Sequence, residues 1–141
     1  MLLVLGVIAV VALPRFDAAL ALRNAGWREQ VVSTLRHAHS LAQGHRRLVC
    51  ASVATGAVTL TIAATHPASA CSAALPGPDG NASFAHDGSA IATSMAPAGL
   101  LYFQPSGRIT SDGDGVTAVN ASISVAGEDA ISVVGETGHV Q

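Results

Sequence analysis

The chain has 141 residues, 50% of them hydrophobic, 11% charged and 4% aromatic, with a net charge of -2 and no lysine. Such a length holds one modest domain with an appendage, and so much apolar area with so little net charge excludes a disordered chain. The charge is divided, +4 over residues 1–47 and -6 over residues 48–141, where Arg108 is the only arginine, so that nucleic-acid binding by the second part is disfavoured.

The first element is the run MLLVLGVIAVVALPRF. Leu2, Leu3, Val4, Leu5, Val7, Ile8, Val10, Val11 and Leu13 make an uncharged helix, which Pro14, lacking its N–H, kinks or ends. A spanning helix needs about 20 apolar residues. The run is shorter than that, has no basic segment before it and no small-residue cleavage point after it, and so resembles the second half of a longer segment rather than a secretory signal. Gly26 marks a break, which makes residues 1–26 one unit and residues 27–141 another. A second, amphipathic helix then runs over residues 27–45. Its apolar stripe is Trp27, Val31, Leu35, Ala38, Leu41 and Ala42, spaced at three and four, and it stops near Gly44 with His45, Arg46 and Arg47 at its C-terminal end.

From residue 48 the period changes to two. LVCASVA and AVTLTIA form a hairpin about Thr55-Gly56, with Val58, Leu60 and Ile62 on one face. HPASACSAALPGPDGNAS is a Pro/Gly/Ser-rich loop, GLLYFQPSGRIT a hairpin about Pro105-Ser106-Gly107, and SDGDG a turn. The C-terminal stretch supplies two more strands around Gly127-Glu128. The expected architecture is α+β: a long N-terminal apolar helix and a second amphipathic helix packed on a small antiparallel sheet in residues 48–141.

Residues that carry chemistry are sparse. Cys50 and Cys71 have neither zinc-finger nor CxxC spacing; they form either a disulfide closing residues 50–71, worth roughly 3 kcal/mol in an exported chain, or two separate buried thiols. His37 and His39, two apart on a helix, point to nearly opposite sides and share no ion, and His66, His86 and His139 fall in different loops or at a terminus, so no metal site is expected. Asp112 and Asp114 in SDGDG lack the further acids of a calcium loop, which leaves a β-turn. No G-x-S-x-G and no phosphate loop is present, so neither catalytic residues nor a cofactor is expected.

The ordered stretches GVIAVVALPRF, VVSTLRHAHSLAQGHRRLVC, LYFQPSGRI and ISVVGETGHV resemble the type IV pilin-like proteins, in particular the GspH/FimT group of minor pilins and pseudopilins and, within it, minor pilins of the mannose-sensitive haemagglutinin pilus. The resemblance implies a pilin fold with a cysteine pair in the head. It further implies a non-catalytic subunit that helps initiate or cap a type IV-type pilus or a type II secretion pseudopilus. The apolar helix, Leu2 to Pro14, then serves as membrane anchor and filament core. Partners on this reading are other minor and major pilin or pseudopilin subunits and the inner membrane, crossed once with the head in the periplasm or on the pilus. Prepilin peptidase joins them only if a leader lies upstream: the family's Gly-Phe-Thr-Leu-x-Glu is absent, and Met1 is expected to be an internal methionine or a truncation point. The positive-inside rule, applied to Arg15 alone, points the other way, but the leader that sets topology in this family is missing. The alternatives are a DNA-binding minor pilin for uptake, weakened by the acids around Arg108, and a stalk-anchored metal-binding or enzymatic domain.

Overall fold

The structure is a computed structural model that describes the backbone from Leu2 to Gln141 and the side chains from Ala18 onward. One α-helix, α1 (Leu2–His45, 44 residues), precedes ten short strands. The side chains of Leu2 to Pro14, assigned above to an anchor and filament core, lie outside the described residues.

α1 passes through Gly26 without a break, so the expected second helix is the continuation of the first. A Cβ added at Gly26 would meet no atom within 4 Å. The glycine costs about 1 kcal/mol of helix propensity, which the packing of Trp27 and the turns beyond it offsets. Among the described residues there is no other helix.

The small single sheet also requires correction, because α1 packs against two antiparallel sheets. The first is six-stranded. Its centre is the expected hairpin of β1 (Val49–Ala54) and β2 (Ala57–Ile62), in register from Val49↔Ile62 to Ala54↔Ala57 about Gly56, whose φ of 67° suits a residue without Cβ. The second hairpin, β6 (Leu100–Phe103) and β7 (Ile109–Thr110), joins on the far side of β1. β3 (Ala73–Leu75), inside the stretch expected to be loop, and β4 (Ala85–His86), just beyond it, share the outer edge of β2.

The second sheet, β10-β9-β8-β5, combines β8 (Ala121–Val125) and β9 (Ile131–Val134) with β10 (His139–Val140) and with β5 (Thr93–Ala96). Its alternating burial in β8 and β9 is the period-two pattern of a sheet with one face on the core. The sheets meet where Ile109 N–H donates to Gly135 O at 2.8 Å and Val119 N–H donates to Ile109 O at 3.0 Å. Gly135 is required there, since a Cβ would fall onto the carbonyls of Val119 and Ile109. The core between helix and sheets is led by Leu35, Leu60, Leu101, Phe103, Ile109, Ile123 and Ile131, all fully buried.

The expected single-pass inner-membrane topology with a periplasmic head is likewise corrected: among the described residues, no helix is long and apolar enough to cross a membrane. From Ala18 onward α1 is interrupted by Arg23, Arg28, Glu29 and Arg36, and its apolar stripe is spent on the sheets.

Candidate functional site

The most distinctive local arrangement is the passage of α1 from an uncovered arm into a packed half. Ala18 to Leu22 are exposed, with Leu20 42% and Leu22 75% accessible. Burial then begins abruptly at Trp27. Of the six residues expected to pack on the sheet, Trp27, Val31, Leu35, Ala38 and Ala42 are buried and Leu41 is partly buried against the same cluster. Val32 and Thr34 are buried as well, which widens the stripe. Two sheets lie against one helix, and a wider apolar arc is needed to meet both.

Polar side chains flanking this stripe bind the turns of both sheets. Arg28 Nε–H donates to Asp129 O at 2.8 Å, and Arg36 donates through Nε and Nη2 to Val140 O at 3.0 and 2.8 Å. Arg23 Nη1–H donates to Ser89 Oγ at 2.9 Å, and His39 Nε2 lies 2.9 Å from Gly107 O. In the core itself the Trp27 indole N–H donates to Thr93 Oγ1 at 2.8 Å, and that hydroxyl donates onward to Ile91 O at 2.8 Å. Arg28 and Arg36 lie off the apolar stripe, and their acceptors are backbone carbonyls distant in sequence, one after β8 and one in β10, which residue identity does not reveal.

Cys50 and Cys71 are joined in a disulfide, with Cα atoms 6.1 Å apart. It fastens the loop before β3 to the central strand β1, and Leu48, Ala63, Ala68 and Tyr102 pack around it as a small second cluster. Beyond it, at the C-terminal end of α1, two adjoining hollows of about 360 and 580 Å³ share His66, Gln104, Pro105 and Asp114. Arg46 and Gln43 line the larger hollow. Gln104 is already engaged within the chain, donating through Nε2 to Thr110 Oγ1 at 2.9 Å.

The SDGDG turn is closed by its own acid. Asp112 accepts the backbone N–H groups of Val116 and Thr117, each at 2.8 Å, and those two hydrogen bonds hold its carboxyl below the ordinary carboxylate range. Arg108 donates to Gly115 O at 3.0 Å and to Glu136 Oε1 at 3.2 Å. His37 stacks on Phe84 while His39 faces Gly107, so the two point to different elements. Among the described residues no group of three or more His, Cys, Asp or Glu side chains is arranged to hold a metal ion.

No family model matches this chain. No curated protein and no solved structure matches it either.

Proposed function

We propose that the chain is a non-catalytic structural subunit that helps initiate or cap a type IV-type pilus or a type II secretion pseudopilus through contacts with other minor and major pilin or pseudopilin subunits. The observation that carries this reading is the arm of α1 ahead of Trp27, where Leu20 and Leu22 stand exposed on a helix that the two sheets hold rigidly further along. Large apolar side chains left uncovered beside a well-packed core favour burial against a partner. The resemblance of the ordered stretches to minor pilins supplies the class of partner, namely subunits that offer apolar helices of their own. The disulfide fits a chain that works in an oxidising compartment.

DNA uptake draws less support, since the one arginine of residues 48–141 is occupied by Gly115 O and Glu136. The test places a photo-crosslinking residue at Leu22 in the chain expressed in its own host, with Leu22→Arg as the companion variant. Crosslinks to pilin-like subunits at Leu22, and loss of fibres or secretion with Leu22→Arg, are the expected results. Adducts only with unrelated proteins, together with unchanged fibres and secretion on deleting the gene, would refute the reading.

A further inference from the structure

Two stretches carry the pattern Asn-x-Ser with x not proline, the acceptor pattern for an N-linked glycan: Asn81-Ala82-Ser83 and Asn120-Ala121-Ser122. Residue identity treats them alike. The fold does not.

Asn120 leads directly into β8, an interior strand with β5 on one side and β9 on the other. Ala121 pairs with Val133, and Ser122 with both Ala96 and Ser132. The Asn120 side chain is itself engaged, its Oδ1 accepting Gly135 N–H at 3.1 Å. A glycosyl transferase has to bring the serine hydroxyl of the pattern up to the asparagine amide, whereas residues two apart in a strand stay about 6.8 Å apart. Reaching that geometry at Asn120 would break the ladder of β8 on both sides.

Asn81 stands in the loop between β3 and β4, and Ala82 and Ser83 follow it in bent backbone outside any ladder. Asn81 and Ala82 are exposed and Ser83 is partly so. The base of the loop is firm: Gly77 N–H donates to Asn81 O and Gly80 N–H to Gly77 O, both at 2.9 Å, and a Cβ on Gly77 would fall onto the carbonyls of Ser83 and Phe84. Asn81 Nδ2–H donates to Asp79 Oδ2 at 2.6 Å, and His86 Nε2–H donates to the same oxygen at 2.9 Å. Nδ2 carries two hydrogens, so exchanging one for a sugar leaves the other to hold Asp79. Asp79 also stands two residues ahead of the acceptor, which completes the longer pattern acid-x-Asn-x-Ser used by bacterial transferases; ahead of Asn120 that position is Ala118.

We propose that Asn81, and not Asn120, is the acceptor of an N-linked glycan, transferred from a lipid-pyrophosphate-linked oligosaccharide in the oxidising compartment that the Cys50–Cys71 bond implies. The Asn81 side-chain nitrogen attacks the anomeric carbon of the first sugar and loses one proton. The bond from that carbon to the pyrophosphate oxygen breaks, and the lipid pyrophosphate departs with the electron pair. The glycan stands beside β3 and β4, at the edge of the first sheet left open among the described residues. The opposite edge, β7, is closed by the Thr110↔Ala118 bridge and by the hydrogen bond from Ile109 to Gly135. A bulky hydrophilic group at an open edge blocks pairing with the edge of another chain.

The experiment isolates the full chain from its own host and maps its peptides by mass spectrometry, reading sugar fragment ions and the residue that carries them. A glycan on Asn81 is expected, with Asn120 bare. Asn81→Gln and Ser83→Ala should each abolish it, Ser83→Thr should keep it because the hydroxyl is retained, and Asn120→Gln should leave it unchanged. Ser83→Ala and Ser83→Thr both leave the asparagine and its hydrogen bond to Asp79 in place, so a difference between them reports the transferase's requirement rather than loss of the loop. An unmodified Asn81, a modification there that survives Ser83→Ala, or sugar on Asn120 at equal or greater occupancy would overturn the proposal.

Discussion

Trp27 shows how much one side chain does here. Its ring opens the buried half of α1, and its indole N–H is matched inside the core by Thr93, a residue sixty-six positions away in sequence. Thr93→Val keeps the shape and removes the acceptor, so the indole donor is left buried without a partner, at a cost of about 1–3 kcal/mol. Urea unfolding followed by tryptophan fluorescence measures it, and an unchanged midpoint would show that the hydrogen bond contributes nothing. Asp112 makes a prediction about acid. Its folded-state carboxyl lies below the ordinary 3.8 because it accepts two backbone N–H groups, so its contribution is complete above that ordinary value and is lost as pH falls through the lower, folded one. The melting temperature of Asp112→Asn should therefore fall less steeply than the parent's below about pH 4; parallel curves would remove Asp112 from the acid response. The stripe Trp27, Val31, Leu35, Ala38 and Ala42 was legible because a 3.6-residue period leaves a direct mark on the sequence. Val32 was not, because the width of the buried arc is set by the two sheets, which the helix itself does not announce.

At the scale of elements, the hairpins were legible where alternation and turn residues coincide, as in β1–β2 about Gly56 and β6–β7 about Gly107. β3, β4 and β5 were not. They are built of Ala, Ser, Thr and a few larger residues within Pro- and Gly-rich stretches, and their strand character comes from the neighbour that pairs with them, β2 for the first two and β8 for the third. The break expected at Gly26 failed for a related reason: propensity is a weak term, and a helix with a core on one side runs through a single glycine. The Cys50–Cys71 bond governs the least regular of these regions, because it pins the loop before β3 to the central strand. Replacing both cysteines with alanine should lower stability by about 2–4 kcal/mol, measured by denaturant unfolding under non-reducing conditions. A loss confined to a few tenths would mean that the pairing of β3 with β2 already holds the loop.

For the whole molecule, two sheets rather than one decide what the helix is for. A helix lying on a single sheet needs one narrow stripe; α1 instead sits against both, and Arg23, Arg28 and His39 extend from it to turns, and Arg36 to β10, in different parts of the chain. The outer arm, with Leu20 and Leu22 uncovered, is the candidate partner surface, and no period or motif in the sequence marked those two leucines. The stapling also has a mechanical meaning. A pull along the axis of α1 loads Arg28, Arg36 and the buried stripe side by side, in shear, so that many weak contacts must yield together rather than one after another. A load on the arm would thus be spread over both sheets, with the Cys50–Cys71 bond holding the loop before β3 to the central strand.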